Sequence, residues 1–383
     1  MLTITEAAAL IRRGELVIIP TETVYGIAAD ATNAAAVARL AEVKQRPDGK
    51  AFSWLIASLD DACGLAEITP DAEKLAVAFF PGPLTMILNR IGGGTIGVRC
   101  PSHELALDLL REVGVPLATP SANISGQAPS TRYADAVANF GGEIAALDGG
   151  VCGVGIESTV LDLIVEPPKI LRRGALTKRR IENVIGRRID GVTFIGITGG
   201  TGAGKTTALN VLAERGALII DCDAVYRELT LTSTEMLAEL AVRFPTTVTD
   251  GVLDRKILGE IVFADVDALA ELNRISHKFV SREVDRRTKA FGGDTVAIDA
   301  IALLESGRAK RCDYTVAITA PQSVRAARIM ARDGIDEDRA LARIVAQKDD
   351  SFYENRCDAV LVNDSDADAF TRKCREHFAR ILD

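Results

Sequence analysis

A glycine-rich segment at 199–206, G-G-T-G-A-G-K-T, constrains the fold more than any other part of the chain. It fits the phosphate-loop pattern G-x-x-x-x-G-K-[ST] at every required position. Glycine lets the backbone curl so that several N–H groups point at phosphate oxygens. The apolar run at 194–198 predicts a buried strand before the loop, and 206–212 predicts a helix after it. The segment therefore predicts a nucleotide site in an α/β domain.

The side chains at the end of this loop have distinct expected roles. Lys205 can reach the β- and γ-phosphates, and the Thr206 hydroxyl suits a Mg²⁺ ligand. The other expected ATP-binding positions are Gly199, Gly200, Thr201, Gly202, Ala203 and Gly204. Such a loop usually follows the first strand of its domain, yet about 190 residues precede this one. A further domain is therefore expected upstream.

Length and composition are those of a globular enzyme with more than one core. The chain has 383 residues, 48% hydrophobic and 26% charged, and its length suggests two or three domains. No run approaches the roughly 18 apolar residues of a membrane span, and the N-terminus lacks a signal-peptide pattern. The seven cysteines form no C-x-x-C pair, which favours free thiols in a reducing compartment. A cytoplasmic protein is therefore expected.

Net charge argues against a nucleic-acid-binding domain. The formal charge is −8 overall, −3 over 1–190 and −5 over 191–383, so neither half is basic. Seven Arg and Lys residues lie within 172–188, where a solvated helix face followed by a linker is favoured over an RNA-binding patch. No stable binding of nucleic acid is therefore expected.

The pattern along the chain predicts two α/β domains. The polar, glycine-flanked stretch 186–191 marks their boundary, which gives domains 1–188 and 192–383. In the second domain, continuous apolar strands alternate with helices, which predicts a parallel sheet covered on both faces. Its further strands are predicted at 217–221, 296–299, 315–319 and 359–363, and its helices include 323–332 and 337–346, the latter with Asp336 as N-cap. The first domain is predicted to have strands at 16–19, 84–88 and 159–164 and helices at 34–43 and 104–113.

Polar clusters interrupt the apolar pattern of the first domain at the ends of its strands. They read P-T-E-T-V-Y-G at 20–26, K-Q-R at 44–46, P-G-P-L-T at 81–85, V-R-C-P at 98–101, S-A-N-I-S-G at 121–126 and S-T-V-L-D at 158–162. Singly, each has an ordinary explanation, such as cations at a helix C-terminus or turn residues. Together they supply cations and hydroxyl or amide donors where open α/β sheets bind ligands.

The order and spacing of these motifs resemble the YrdC-like threonylcarbamoyl-AMP synthases over about residues 5–185. The resemblance implies a twisted α/β fold with a concave, positively lined active site. It also implies that L-threonine, bicarbonate and ATP give threonylcarbamoyl-AMP and pyrophosphate. That product would feed a threonylcarbamoyl modification of tRNA, so the tRNA threonylcarbamoyl transferase machinery is an expected partner.

The same resemblance implies which residues form the site. Lys44 and Arg46 match the family's K-x-R pair, and fixed cations stabilise charge that develops at a phosphate. Ser121 and Asn123 match its S-x-N pair and are expected to hold nucleotide and carbamate oxygens. The other positions expected to bind substrate or nucleotide are Thr23, Arg99, Thr159 and Arg172. An RNA-binding module is the alternative for this domain, and ATP-dependent pyrophosphate release would separate the two.

In the second domain, the acceptor must be inferred from the residues downstream of the phosphate loop. The segment 221–223, D-C-D, ends the second strand beside that loop. There Asp223 can orient an acceptor hydroxyl and take its proton, or hold Mg²⁺ through water, although a helix N-cap is the structural alternative. Arg325, Arg328, Arg332, Arg339 and Arg343 form either a lid over polyphosphate or a solvated helix face.

The order of motifs in this half resembles dephospho-CoA kinase over essentially all of 192–383. The matching stretches include D-G-V-L-D-R-K-I-L at 250–258, L-N-R-I-S-H at 272–277, D-A-I-A-L-L-E-S-G at 299–307 and A-R-I-V-A-Q at 342–347. The resemblance implies a parallel sheet with a helical acceptor region and a lid. It further implies phosphorylation of the ribose 3′-hydroxyl of dephospho-CoA by Mg²⁺-ATP. By the same match Asp223 is the base or the residue that orients the acceptor, Arg255 and His277 bind the acceptor, and Arg332 belongs to the lid.

Two departures from that family pattern affect the acceptor region. The family usually has Pro after the histidine, where this chain has Lys278, and P-L-L-F-E where Ile301 begins I-A-L-L-E. Another small-metabolite or nucleoside kinase of the same fold is therefore the alternative, which a substrate panel would separate. A third hypothesis is a non-enzymatic, ATP-gated RNA-binding adaptor.

Overall fold

The computed structural model describes residues 2–45, 52–124 and 129–382. The chain divides into two compact units, Met1–Gly191 and Val192–Asp383, and each has its own hydrogen-bonded sheet and its own buried clusters. Among the helices of the described residues, none combines the length and apolar character that crossing a bilayer requires.

The first unit is built around a mixed, nine-stranded sheet. Its strands are β1 (Val17–Ile19), β2 (Gly26–Asp30), β3 (Ser53–Leu55), β4 (Leu84–Asn89), β5 (Thr95–Arg99), β6 (Leu117–Ala118), β7 (Ala145–Ala146), β8 (Thr159–Asp162) and β9 (Lys169–Arg172). The strand order is β7-β1-β2-β6-β3-β5-β4-β8-β9. The pairs β1–β7, β3–β5 and β4–β8 are parallel and the others antiparallel, so the α/β fold expected for this half is confirmed.

The helices of the first unit are α1 (Ile4–Arg12), α2 (Ala34–Val43), α3 (Pro70–Phe79), α4 (Glu104–Val113), α5 (Tyr133–Ala138) and α6 (Lys178–Ile185). Helix α2 matters most for the site. The Asn33 side chain caps its start by accepting from the amides of Ala35 and Ala36, and its inner face buries Ala36 and Leu40. Lys44 is the C-cap of α2, so this helix carries the first residue of the K-Q-R motif.

The second unit contains a five-stranded parallel sheet in the order β11-β14-β10-β15-β16, as the sequence predicted. Its strands are β10 (Thr193–Thr198), β11 (Leu218–Asp221), β14 (Thr295–Asp299), β15 (Tyr314–Thr319) and β16 (Ala359–Val362), and β12 (Val248–Thr249) and β13 (Val252–Leu253) form a separate hairpin. Its helices are α7 (Lys205–Glu214), α8 (Cys222–Thr232), α9 (Thr234–Arg243), α10 (Arg255–Ala264), α11 (Val266–Ala290), α12 (Gln322–Asp333), α13 (Glu337–Val345), α14 (Asp350–Glu354) and α15 (Ala367–Leu382).

Two apolar clusters cover the two faces of this sheet. Phe370 and Phe378 of α15 pack with Leu212 of α7 on one face, and Val225 of α8 packs with Val284 of α11 on the other. Burial on both faces explains why β10 is buried at all six positions.

Two helical regions stand beside the sheet with small clusters of their own. Helices α9, α10 and α11 share a cluster that includes Leu240, Leu258 and Ile275. Helices α12 and α13 share another, which includes Ile329 and Ile344. These regions correspond in the chain to the acceptor region and lid expected from the sequence.

Two candidate nucleotide sites

A cavity of about 430 Å³ opens at the strand ends of the first unit. Charged and hydroxyl-bearing side chains make up much of its wall. They include Thr21, Tyr25, Lys44, Ser53, Thr85, Arg99, Ser121, Asn123, Glu157, Ser158 and Arg172. Five of the predicted site residues therefore meet in one cavity, namely Lys44, Arg99, Ser121, Asn123 and Arg172. Arg46, also predicted for this site, lies outside the described residues.

Lys44 is held in the cavity wall by the S-x-N turn. Its Nζ donates to the carbonyl oxygen of Ser121 at 2.7 Å and to that of Asn123. The Ser121 hydroxyl donates to Oδ1 of Asn123, which fixes the turn around the ammonium group. The two motifs, 77 residues apart in sequence, thus form one cationic corner.

Arg99 is positioned by a buried ion pair. Its NH2 group donates to Oε1 of Glu22 at 2.7 Å and to the Thr23 hydroxyl at 2.9 Å. Thr23 is fully buried behind this guanidinium and does not line the cavity, whereas Thr21 does. The Thr23 hydroxyl therefore contacts Arg99, and its predicted contact to substrate stays a prediction.

A second cationic corner is formed by Arg172. It donates to the Ser158 hydroxyl at 2.9 Å and to Oε1 of Glu157 at 2.8 Å. The Ser158 and Thr85 hydroxyls are hydrogen-bonded at 2.8 Å, which extends the polar wall. Partial burial lowers the pKa of the Arg172 guanidinium, and the charge of Glu157 opposes that shift. The corner presents a cation and two hydroxyl groups, a combination suited to phosphate or carboxylate oxygens.

Thr159, also predicted for this site, is not among the described residues that line the cavity. Its hydroxyl donates to the carbonyl of Leu176 at 2.7 Å and accepts from the amide of Gly174, and its side chain is fully buried. Gly174 approaches the backbone of Glu157 and Ser158 so closely that an added Cβ would overlap it. Thr159 therefore fastens the end of β9 to β8, which places Arg172 at the cavity.

Tyr25, Ser53, Thr85 and Ser158 line the cavity but were not singled out as site residues. Tyr25, Thr85 and Ser158 belong to the motifs at 20–26, 81–85 and 158–162, so the sequence marks these positions but does not show where their side chains point. The Tyr25 hydroxyl donates to the carbonyl of Gly150 at 3.0 Å, and burial raises its pKa to about 12, so it remains protonated.

In the second unit, the phosphate loop connects β10 to α7 as predicted. Gly204, the residue before α7, has φ of +104°, a left-handed conformation that glycine adopts without strain. Within the described residues, no protein acceptor receives a hydrogen bond from the backbone amides of Gly202, Gly204, Lys205 or Thr206. Four N–H groups at a helix N-terminus form a cradle for phosphate oxygens.

Lys205 lies across this cradle. Its Nζ donates to the carbonyl of Gly199 at 2.9 Å. Burial lowers the pKa of Lys205, while the charges of Asp299 and Asp223 oppose that shift. The ammonium group therefore lies among the loop and the carboxylates at the ends of β11 and β14.

Three aspartates cluster at these strand ends. Asp221 and Asp299 are register partners on the neighbouring strands β11 and β14. Asp223 lies in the first turn of α8, and partial burial together with the charge of Asp221 raises its pKa. Burial also raises the pKa of Asp299, whose Oδ1 is buried without a hydrogen-bond partner in the described structure. Asp299 was not predicted as a site residue.

The charge of Arg308, which was not predicted as a site residue, acts on His277 and Asp223. Burial and the positive charge of Arg308 lower the pKa of His277 on α11. The Arg308 charge also lowers the pKa of Asp223 against the larger effect of burial. Arg255 is exposed at the start of α10, and its charge acts on the phenol of Tyr226. Arg308 directly follows the 299–307 motif, and only the fold brings its charge close enough to act on Asp223 and His277.

The arginines at 325–343 divide into two groups. Arg325 and Arg328 contact the phosphate loop, through bonds from Arg325 to the Thr201 carbonyl at 3.0 Å and from Arg328 to the Gly202 carbonyl at 3.3 Å. Arg332 instead pairs with the neighbouring Asp333 at 2.7 Å and stays 60% exposed. Its charge acts on Lys205, but no hydrogen bond from Arg332 to the loop occurs in the described residues.

The two departures from the family pattern lie at the surface or in ion pairs. Lys278 pairs with Oε2 of Glu239 at 2.6 Å and lies over the Phe279 ring. Ile301 is 47% exposed, and its carbonyl accepts from the Thr198 hydroxyl at the end of β10. Neither side chain therefore blocks the phosphate loop.

Comparison with known proteins identifies each half. A family described as "Telomere recombination" (Sua5, YciO and YrdC) matches residues 9–174, and the dephospho-CoA kinase family matches 193–369. The putative threonylcarbamoyl-AMP synthase of Mycobacterium tuberculosis is 37% identical over 50% of this chain and 93% of its own length. The dephospho-CoA kinase of Corynebacterium jeikeium is 36% identical over 44% of this chain and 89% of its own length.

A solved structure adds support for the fold. The crystal structure of P. abyssi Sua5 complexed with L-threonine is 30% identical with a TM-score of 0.51, covering 80% of this chain and 92% of that one. The chain spans only about half, 56%, of the threonylcarbamoyl-AMP synthases of Bacillus subtilis and Pyrococcus abyssi. From these matches, the first half of the chain belongs to the Sua5/YciO/YrdC family of threonylcarbamoyl-AMP synthases and the second half to the dephospho-CoA kinase family.

Proposed function

We propose that the chain carries two enzyme activities on independent sites. The first unit forms threonylcarbamoyl-AMP from L-threonine, bicarbonate and ATP, and the second phosphorylates the ribose 3′-hydroxyl of dephospho-CoA with ATP. The meeting of Lys44, Arg99 and Arg172 in one cavity supports the first activity. The loop amides of Gly202, Gly204, Lys205 and Thr206, which donate to no protein acceptor within the described residues, support the second. Family membership of each half favours the same assignment.

In the first unit, the chemistry requires positioning more than covalent catalysis. The threonine amine takes up the carbon of bicarbonate with loss of water, and an oxygen of the resulting carbamate attacks the α-phosphorus of ATP. The bond from that phosphorus to the bridging oxygen breaks, and pyrophosphate leaves. Lys44 and Arg172, fixed by hydrogen bonds, would stabilise charge on the phosphates as it develops. Arg46 is proposed to assist from the same motif, and the tRNA threonylcarbamoyl transferase machinery would take the product.

In the second unit, the acceptor hydroxyl attacks the γ-phosphorus of ATP. Asp223 takes the hydroxyl proton, the bond between γ-phosphorus and the β–γ bridging oxygen breaks, and ADP leaves. The loop amides and Lys205 hold the β- and γ-phosphates. His277, Arg255 and Arg308 would hold the acceptor, and Arg332 would approach the phosphates from the lid.

The carboxylates of this site fit a magnesium ion. Mg²⁺ prefers oxygen ligands and is commonly shared between one or two carboxylates and the substrate phosphates. The buried Oδ1 of Asp299 lacks a hydrogen-bond partner in the described structure, and the Thr206 hydroxyl lies at the end of the loop. Thr206 and Asp299, with Asp223 through water, would hold the ion, which when bound neutralises charge on the transferred phosphoryl group.

Two assays on one full-length preparation test the proposal. Pyrophosphate release is expected only when ATP, L-threonine and bicarbonate are all present. Conversion of dephospho-CoA to CoA is expected with ATP and magnesium. Salt-sensitive RNA binding without pyrophosphate release would favour the RNA-binding alternative for the first unit. Turnover of a nucleoside but not of dephospho-CoA would overturn the acceptor assignment.

A further inference from the structure

Thr201 is the third residue of the phosphate loop. Its amide, carbonyl and hydroxyl groups are all hydrogen-bonded by residues at the two ends of the α12–α13 pair. Its amide donates to Oε1 of Gln347 at 2.8 Å, and its hydroxyl accepts from Nε2 of Gln347 at 2.7 Å. Its carbonyl accepts from Nε of Arg325 at 3.0 Å. Arg325 also donates to Oε1 of Gln347 at 2.9 Å, so the three residues form a closed cluster.

The two partners of Thr201 come from opposite ends of one helical pair. Arg325 lies in the first turn of α12, and Gln347 lies two residues after the end of α13. Arg325 is only 5% exposed, which strengthens hydrogen bonds that water cannot contest. The start of α12 and the segment after α13 are therefore both hydrogen-bonded to Thr201.

The amides of the loop differ in whether they donate to a protein acceptor. Gln347 takes up the amide of Thr201, and Gly200 accepts from the amide of Ala203 at 3.2 Å. Donors at Gly202, Gly204 and the start of α7 have no protein acceptor in the described structure and can bind phosphate oxygens. Thr201, which directly precedes Gly202, is held by Gln347 and Arg325 next to these donors.

We propose that Gln347 is a positioning residue for nucleotide binding: it latches the α12–α13 pair onto Thr201, and the phosphate loop keeps its binding form only while this latch is closed. Gln347 itself touches the loop and need not touch the nucleotide. The inference rests on the proposed kinase function of this unit and adds a residue that couples the lid stems to nucleotide affinity.

Nucleotide binding by the full-length protein tests the latch without any acceptor. Calorimetric titration with Mg²⁺-ADP is performed on the wild type and on Lys205→Met, and the binding that Lys205→Met removes is assigned to the loop. Gln347→Leu is expected to raise the Kd of that site about tenfold, since it removes both hydrogen bonds to Thr201 and the one that Gln347 accepts from Arg325. Gln322→Leu is the matched control, because it replaces the same residue type by leucine at an exposed position, the start of α12.

A second pair of variants covers the case in which Gln347→Leu does not fold. Thr201→Val removes the hydroxyl that Gln347 donates to, and Thr201→Ser keeps it. Thr201→Val is expected to weaken ADP binding severalfold and Thr201→Ser to retain it. In the double variant the effects should not add, because both substitutions break the same contact.

The turnover readout separates positioning from general damage. Gln347→Leu is expected to raise KM for ATP while KM for dephospho-CoA and the unfolding temperature stay near the wild-type values. An ADP Kd within twofold of wild type for both Gln347→Leu and Thr201→Val would overturn the latch, as would fully additive effects. If the wild type fails to phosphorylate dephospho-CoA, the proposed function fails, while the ADP titrations still decide the role of Gln347.

Discussion

Asp221 caps helix α8 by accepting the amide of Asp223 on its Oδ1 at 2.8 Å. The same oxygen accepts the amide of Ala224 at 2.9 Å. Asp221 is therefore the residue at the end of β11 that caps helix α8. Asp223 keeps its own carboxylate for the cleft, beside Lys205 and Arg308.

This division predicts unequal effects of two equivalent substitutions. Asp223→Asn is expected to lower kcat for dephospho-CoA about 10²- to 10³-fold, because the amide cannot take the acceptor proton. Asp221→Asn is expected to keep most of the activity, since asparagine also caps helices well. Initial rates measured at saturating substrate check both, and equal losses in the two variants would contradict the assignment.

The same pair predicts a pH effect of known sign. Partial burial, and then the negative charge of Asp221, raise the pKa of Asp223, while Arg227, Lys205 and Arg308 lower it. Only ionised Asp223 accepts a proton, so kcat/KM should fall as pH drops through this raised pKa. Asp221→Asn removes a like charge and should move the acidic limb to lower pH. A kcat/KM profile at constant ionic strength measures the shift, and a move to higher pH would exclude this model.

Single lysine substitutions should separate the two activities. Lys44→Met removes the ammonium group held by the S-x-N turn and is expected to abolish pyrophosphate release while sparing CoA formation. Lys205→Met is expected to do the reverse. Each variant is assayed for both reactions on one preparation. Loss of both activities from one substitution would break the model of independent sites.

The buried pair of Glu22 and Arg99 should stabilise the first unit. The side chains are 12% and 9% exposed, so Glu22→Gln would leave a buried guanidinium without its charge partner. We expect a loss of about 3 kcal/mol in the free energy of unfolding. Urea unfolding followed by fluorescence reports this unit specifically, because the single tryptophan is Trp54 on β3.

A matched surface pair provides the control for that measurement. Arg111 and Asp108 form an i,i+3 ion pair on α4 whose side chains are 62% and 44% exposed. Asp108→Asn is expected to change stability by about 0.5 kcal/mol or less, because exposed pairs contribute little. Equal losses for Glu22→Gln and Asp108→Asn would show that burial of the Arg99 pair carries no extra stability.

Gly200 should not tolerate a side chain, because it lies against Arg325, which contacts both Thr201 and Gln347. An added Cβ would overlap the guanidinium of Arg325, which is buried and bonded to Thr201. Gly200→Ala is therefore expected to displace Arg325 and break its hydrogen bonds to Thr201 and Gln347. The loss of these two bonds should raise KM for ATP about tenfold. Gly292→Ala is the control, because nothing lies within 4 Å of a Cβ at that position. Wild-type kinetics for Gly200→Ala would contradict the packing of Arg325.

Local signals explain why so much of the fold could be predicted. The helices predicted at 34–43 and 104–113 coincide with α2 and α4, because capping and apolar spacing are encoded nearby. Asp336 caps α13 as expected, by accepting from the amide of Arg339. The families of both halves, inferred from motif order, are confirmed. The domain limits 1–188 and 192–383 and the individual site roles stay predictions.

The site could be predicted only in part, because motifs fix residue identity but not side-chain direction. Thr23 and Thr159 belong to the right motifs, yet their hydroxyls turn to Arg99 and to Leu176 rather than to the cavity. Asp299 and Arg308 were missed, since only the parallel sheet brings the end of β14 beside β11 and the loop. Gln347 reaches Thr201 across 146 residues, a distance no local pattern reveals.

The close approach of Gly174 to β8 has a consequence for reading mutational data. Every missense codon at position 174 adds a Cβ, and that atom would overlap backbone atoms of Glu157, Ser158 and Thr159. In a saturation library selected for the first activity, we expect position 174 to be as intolerant as Lys44. Intolerance at position 174 would reflect the steric fit between two backbone segments and not contact with a ligand. A map of ligand-binding positions drawn from such a library would therefore place the ligand too close to Gly174.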